Sequence, residues 1–144
     1  MIQRFFTDAD AVRYDDRERL REELAQGRRD FSGADLSGLD LSAMDLRGVC
    51  LDGARLSGAL LDGADLSEAS IAQTFFDGVR ARGARLHGVR GEFAVFGLAD
   101  LTGAQFQGAD LRRSSFVGAR LQGADFTDAE LYFARFASAH CVGA

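Results

Sequence analysis

Residues 34–66 read ADLSGLDLSAMDLRGVCLDGARLSGALLDGADL. Every fifth position of this stretch is leucine, and the spacing continues in both directions, from Phe31 to Cys141, without an insertion or a deletion. A period of five fits neither the 3.6-residue turn of an α-helix nor the two-residue alternation of a plain β-strand. Each five-residue unit is therefore predicted to contain a short extended segment followed by a turn.

Two further series accompany the leucines. Two residues before each bulky residue lies a second, generally smaller series, which is alanine throughout from Ala54 to Ala69 and, except for Ser114, from Ala94 to Ala139. The 17 glycines fall mostly two residues after the bulky residue, where they would supply turn dihedral angles. The 144-residue sequence contains no proline. Because proline has no backbone N–H, its absence indicates that nearly every N–H is needed for pairing.

Several units resemble the A(D/N)LXX motif of the pentapeptide-repeat family, among them residues 34–38, 64–68 and 124–128. The resemblance covers 23 consecutive units. It implies an all-β solenoid, a right-handed quadrilateral parallel β-helix with about 20 residues per coil and nearly six coils. The central Leu or Phe and the Ala two before it would point inward, and the other three positions outward. The chain divides on this view into residues 1–28 and the β-helix, 29–144.

Residues 1–28 lie outside the repeat and are predicted to form one short helix, roughly 16–26. Leu20 and Leu24 are spaced four apart, Asp15 or Asp16 could cap the start, and Gly27 the end. An irregular lead would precede it, with the apolar residues Phe5, Phe6, Val12 and Tyr14. We expect a lid over the first coil, because a solenoid must cover its terminal apolar face. The alternative is a partner-binding arm.

Composition limits the classes of protein. No apolar run approaches the length of a membrane helix, the first residues lack the apolar core of a signal peptide, and two cysteines do not indicate a disulfide framework. These features predict a bacterial, cytoplasmic protein with no membrane association.

No catalytic constellation is evident, so we expect a protein that is not an enzyme and binds no cofactor or metal. His87 falls at an outward position among arginines, and His140 lies near the end of the repeat. Cys50 should point outward, whereas Cys141 belongs to the inward series. No cysteine–histidine cluster has the spacing of a metal site.

Charge is distributed unevenly along the repeat. Residues 29–78 carry nine acids and three arginines, whereas residues 79–113 carry six arginines and three acids. Near the middle, an arginine belt is formed by Arg80, Arg82, Arg85 and Arg90. This pattern indicates either a solvated mixed surface or a polarised solenoid that docks a complementary partner.

Seven large apolar residues occupy outward positions that are elsewhere small or polar. They are Phe75, Phe93, Val95, Leu98, Val117, Tyr132 and Phe133. By the 20-residue register they map to two adjacent faces and their shared corner in the C-terminal half. A contiguous exposed apolar patch marks an interface, so these residues are the predicted protein-binding site. Alternatively, Phe93 could fold inward beside Gly91.

Two functions follow from these patterns. The first is a non-catalytic protein-binding scaffold that forms a homodimer through its C-terminal coils, with Tyr132 and Phe133 in the contact. The chain stops within a unit, which would leave Leu131 and Phe136 open to stacking. The second is implied by the resemblance, since the quinolone-resistance branch of the family mimics DNA and binds DNA gyrase or topoisomerase IV, which are type II topoisomerases. Neither function involves direct nucleic-acid binding.

Overall fold

The structure, a computed structural model, describes residues 11–144. The predicted lead residues Phe5 and Phe6 lie outside this range. The helix α1 spans Arg17–Ala25, one residue shorter at each end than the predicted range. Asp16 caps it, because its side chain accepts a hydrogen bond from the Arg19 N–H at 3.0 Å. Gly27 follows the helix with a φ of 93°, in the left-handed region that glycine adopts most readily.

The repeat region is a stack of 20-residue coils. Single parallel β-bridges join residues that lie 20 apart, from Asp30↔Cys50 to Arg120↔His140. Between residues 11 and 144 no strand is longer than one bridge. Since four five-residue units separate two bridged residues, each coil contains four units and presents four columns of side chains. Residues 20 apart therefore share a column.

A tight turn closes every unit. In the first, the Ala34 N–H donates to the Phe31 carbonyl at 3.0 Å, and Gly33 between them has a φ of 69°. This is the geometry of a type II β-turn, which requires a positive φ at its third residue. The predicted turn role of the glycines is what the structure shows.

The inward series fill the interior. Apart from Leu39, which is partly buried, their members are buried from Phe31 to Ala124, and they become partly exposed in the last coil. One column stacks Phe76, Phe96, Phe116 and Phe136, with ring centroids 4.8–5.1 Å apart and nearly parallel planes. Phe106 and Phe126 stack in the next column at 5.0 Å and meet the first column edge-on. Both arrangements are favoured between aromatic rings.

Gly91 is the one inward position of the bulky series without a side chain. A Cβ atom there would lie 3.1 Å from both Ile71 and Leu111, which stack below and above it. The larger residue Val89 compensates for the missing side chain, because it is fully buried two residues earlier, where most units have alanine. The irregularity is thus absorbed by local packing, and the register continues unchanged.

The segment before α1 is more ordered than the predicted irregular lead. Arg13 forms a parallel bridge with Asp35, and the Tyr14 N–H donates to the Asp35 carbonyl at 3.0 Å. The separation is 22 residues, which explains why a search for the five-residue period does not find it. Tyr14 is buried with its ring edge against Phe31, 6.1 Å between centroids, and Leu20 of α1 is buried in the same core.

Candidate protein interface

Within the part of the chain that the structure describes, no group of histidine, cysteine or acidic residues is placed to hold a metal ion. His87 contacts Gln105, with 2.8 Å between Nε2 and Oε1. Cys50 is partly buried and lies 3.1 Å from the Ser32 hydroxyl. Cys141 is exposed although it belongs to the inward series, and it lies in the last coil that the structure describes. None of these side chains forms a nucleophile–base pair.

Also within residues 11–144, no helix is long and apolar enough to cross a membrane.

Backbone hydrogen bonding explains eight of the twelve aspartates of the repeat. In the unit around Leu56, four of the five N–H groups donate to carbonyls of the same turn or of the adjacent coils, at 2.7–2.9 Å. The fifth, that of Ser57, has no backbone acceptor. In eight units an aspartate two residues earlier accepts this N–H at 2.9–3.2 Å. These capping residues are Asp30, Asp35, Asp40, Asp45, Asp65, Asp100, Asp110 and Asp125.

The capping bonds change the acidity of the aspartates. Hydrogen bonds from Ser37 and Ser42 hold the pKa of Asp35 and of Asp40 below the usual value. Hydrogen bonds from Arg47 lower the pKa of Asp45 to about 2. These carboxylates are therefore ionised at neutral pH, and their role in the fold is to satisfy turn N–H groups.

The four arginines of the belt are exposed, as predicted, but most are paired. The Arg80 Nε lies 2.7 Å from Asp62, and the Arg82 Nε lies 2.7 Å from Asp100, each on a neighbouring coil. Arg85 is 3.8 Å from Asp65. Arg90 makes no ion pair with a residue in the range 11–144. Because three of its charges are balanced by adjacent carboxylates, the belt is a mixed surface more than a basic one.

The apolar side chains at outward positions are at the surface. Leu98, Tyr132 and Phe133 are 78%, 70% and 80% exposed. Phe75 and Phe93 are somewhat less so, and Val95 and Val117 are half-buried. Phe93 does not fold inward beside Gly91, because it is 44% exposed and stacks against an arginine on the surface.

These residues gather around one column of the solenoid. We name it the Phe75 face, defined by the bridged residues Asp35, Arg55, Phe75, Val95, Ser115 and Arg135. Phe93, Tyr132 and Phe133 occupy the turns that lead into this face, whereas Leu98 and Val117 occupy the turns that lead out of it. The positions of the turns place the seven residues on a single face and its two corners. The sequence had indicated two adjacent faces and the corner that they share.

The entry corner contains a ladder that the sequence reasoning missed. The guanidinium carbon of Arg113 lies 5.5 Å from the Phe93 ring centroid and 5.9 Å from the Phe133 ring centroid. The three residues lie 20 apart, so the column register was the signal that could have shown it. Both contacts are within cation–π distance.

The residues of this ladder have an unusual backbone. Phe93, Arg113 and Phe133 have φ values of 62°, 58° and 59°, and Leu98 at the exit corner has 58°. Most units have glycine at the equivalent position. For a residue with a Cβ atom this conformation costs roughly 1–2 kcal/mol. Across the exit corner, Leu98 lies over Gly118, where its Cδ2 is 2.8 Å from the site of a Cβ atom.

Comparison with known proteins identifies the repeat. The family model for pentapeptide repeats matches residues 30–63, 59–90, 93–116 and 104–140. No curated protein matches the sequence.

Among solved structures, similarity extends to a pentapeptide repeat protein from the Arabidopsis thaliana thylakoid lumen. It is 26% identical with a TM-score of 0.68, and the match covers 72% of this chain and 73% of that one. Rfr23 from the cyanobacterium Cyanothece 51142 is 20% identical, with a TM-score of 0.50 and coverages of 86% and 98%.

A trypsin-treated form of QnrB1, a plasmid-mediated fluoroquinolone resistance protein, is 18% identical with a TM-score of 0.50. The match covers 79% of this chain and 63% of that one. These likenesses, together with the bridges, confirm the right-handed β-helix solenoid.

Proposed function

The chain belongs to the pentapeptide-repeat family, and we propose that it is a non-catalytic protein-binding scaffold that acts through the Phe75 face and its two corners. The matching family model describes a structural repeat and no enzymatic activity. The observation that carries the proposal is that Phe93, Leu98 and Phe133 are held outward in a left-handed backbone conformation.

These residues are unfavourable for the solenoid itself in two ways. Their backbone is strained, which glycine would avoid, and their side chains expose apolar surface to water. Glycine stands at the corresponding position in most other units. Backbone strain at residues that expose apolar groups supports a binding role. A partner that buries these groups gains the free energy of removing apolar surface from water.

We also propose that copies of the chain associate with each other through the C-terminal coils, with Tyr132 and Phe133 in the contact. Both side chains are more than two-thirds exposed. Tyrosine and phenylalanine are enriched in the cores of protein interfaces, which supports this placement.

The test compares the wild type with the double substitution Phe93→Gly and Phe133→Gly. Because glycine relieves the strain, we expect the variant to fold with an unchanged or higher melting temperature. It should nevertheless lose both self-association and the protein that the wild type captures from a lysate of the source organism. Ala43→Gly is the matched control, since Ala43 has a φ of 58° far from the patch. Capture and association that are equal in the double variant and the wild type would contradict the proposal.

A second candidate is a DNA-mimicking binder of a type II topoisomerase, DNA gyrase or topoisomerase IV. The first coil places Asp30, Asp35, Asp40 and Asp45 at equivalent outward positions, one in each column. Their lowered pKa values keep them charged, as phosphates are in DNA. QnrB1 shares the fold, but at 18% identity that likeness concerns the fold alone.

This candidate is tested by a gyrase supercoiling assay with and without a quinolone. A DNA mimic at micromolar concentration should inhibit supercoiling or protect the enzyme from the drug. Neither effect is expected of a scaffold with another partner.

We infer three further points of architecture and location. The coils are quadrilateral and nearly six in number, which the four units per coil support. Residues 1–28 are a unit separate from the repeat domain 29–144, and its described part, residues 11–28, caps the repeat, which the burial of Tyr14 and Leu20 supports. The protein is cytoplasmic, in keeping with its two free cysteines; fractionation of the source cells checks this location.

A further inference from the structure

The Phe75 face has a single aspartate cap, at Asp35, whereas each of the other three columns has two or three. Beyond Asp35 its bridged residues include no carboxylate, so the turn N–H groups that follow them have no aspartate to accept them. These donors belong to Ser57, Asp77, Gly97, Val117 and Ala137, and none of them has a backbone acceptor in the described chain. The face thus combines exposed apolar side chains with free donors, one per coil.

We propose that the Phe75 face packs against the same face of a second copy of the chain, with the two solenoids antiparallel. The two-fold axis would run along the strand direction, between the coil of Phe75 and the coil of Val95. This inference rests on the self-association within the proposed function and specifies its surface and register, in which the C-terminal coil with Tyr132 and Phe133 contacts the first coil of the second copy.

The occupant is a second copy because of the spacing. The exposed side chains of the face recur once per coil, at the roughly 4.8 Å distance between paired strands. Another β-solenoid presents a surface with the same repeat distance. A two-fold pair also lets one surface serve both partners, and such pairs are the commonest homo-oligomers.

The antiparallel register brings complementary residues together. Each residue meets the residue at the same position within the partner's unit, so Phe75 lies opposite Val95. Leu98, one of the most exposed side chains of the face, meets the column position of Gly78, where a Cβ atom would have no other atom within 4 Å. Asp77 faces the free N–H of Gly97. At the ends, Asp35 faces Arg135, an opposite pair of charges.

Other registers are less complementary. A shift of one coil in one direction sets Arg55 against Arg135, and a shift in the other sets Arg55 against Val95. A parallel pair would place residues 29–78, with their excess of six negative charges, side by side. In the antiparallel pair this acidic part lies opposite residues 92–141, which carry six acids and four arginines and therefore a smaller excess of negative charge.

The test exchanges the large and the small residue of the central contact. Leu98→Gly removes the projecting side chain and should weaken self-association about 30-fold, as expected for an interface hot spot. Gly78→Leu fills the gap and should weaken it by a similar factor. The double variant Gly78→Leu with Leu98→Gly restores one large and one small residue at each contact, and should dimerise like the wild type. An equimolar mixture of the two single variants should form heterodimers.

Sedimentation velocity measures all four samples, and circular dichroism confirms that each is folded. Gly63→Leu is the control, because Gly63 has the same backbone and an equally open environment on another column. It should leave the dimer unchanged.

The results separate this inference from the proposed function. If both single variants dimerise like the wild type while Phe93→Gly with Phe133→Gly does not, the Phe75-face register is wrong and self-association occurs elsewhere. The same conclusion follows if the exchanged variant associates no better than the single ones. A wild type that stays monomeric, yet captures a host protein through this face, overturns the second copy and leaves the scaffold.

Discussion

At the scale of the residue, each position of the unit has a defined backbone task. The third outward position adopts a positive φ in every unit, whether it is glycine or not. The bridged position is frequently aspartate, because its carboxylate accepts the one N–H that the coils leave free. The absence of proline is explained for four positions, where the N–H donates to a carbonyl. The fifth position is different, because in some units its N–H has no acceptor among the described residues.

Ser57 provides a test of this assignment. It is the second residue of a type II turn, a position that favours proline, and its N–H has no acceptor in the described chain. We expect Ser57→Pro to leave the free energy of unfolding unchanged or raise it by up to about 1 kcal/mol. Leu60→Pro, three residues later, removes an N–H that donates to Leu39 at 2.9 Å and should cost about 3 kcal/mol or more. Urea denaturation of both variants measures the free energy of unfolding. A destabilised Ser57→Pro protein would contradict the assignment.

At the scale of the element, α1 is attached to the repeat through Tyr14. The Tyr14 hydroxyl donates to the Glu23 carboxylate of α1, while its ring is covered by the Arg19 guanidinium at 4.7 Å. Burial and this hydrogen bond raise the pKa of Tyr14 to about 12. The attachment therefore favours the protonated phenol, and it links the helix to the first coil.

This raised pKa predicts a loss of stability in alkali. In the unfolded chain tyrosine ionises near pH 10, so the stabilising contribution is complete below about pH 10 and is lost as the pH rises toward 12. Tyr14→Phe should cost about 1 kcal/mol at neutral pH and abolish most of this dependence. Denaturant melts of both proteins at neutral and alkaline pH measure the effect. Equal pH dependence in the two would show that another group is responsible.

At the scale of the whole molecule, one register governs the solenoid from end to end. In every coil, residues 20 apart stack in the same column. The phenylalanine stack of the interior and the phenylalanine–arginine ladder of the surface both follow from this register. Phe96 stands at the centre of that interior stack, 4.8 Å from Phe76 and 4.9 Å from Phe116. Phe133, in contrast, lies exposed at the surface.

A pair of charge substitutions tests the register. Phe96→Asp would place a carboxylate in the centre of the core, and we expect a loss of about 4 kcal/mol or more, enough to abolish soluble folding. Phe133→Asp replaces an exposed ring and should leave the fold intact while disrupting self-association. Circular dichroism distinguishes them. An unfolded Phe133→Asp protein beside a folded Phe96→Asp protein would reverse the assignment of inside and outside.

The periodicity was sufficient to predict a turn in every unit, because an apolar residue at every fifth position can be buried only if the chain turns once per unit. The solenoid with its 20-residue coils was implied by the resemblance to the pentapeptide-repeat family. The burial of Phe96 and the exposure of Phe133 follow from the same count. The pairing of Arg13 with Asp35 could not be found in this way, since its separation of 22 residues departs from the repeat. The interface prediction stays a prediction, although all seven residues lie at or near the surface.

The sequence by itself determined the coil, the inward series and the turn positions, since these depend only on residues counted along the chain. Only the tertiary structure decided which charges cancel. The arginine belt is largely neutralised because Asp62, Asp65 and Asp100 lie on adjacent coils within 4 Å of three of its arginines. It also decided that the apolar residues border one face, because the turns, and not the units, form the corners. Side-chain pairing and corner geometry arise between coils, and a linear pattern does not contain them.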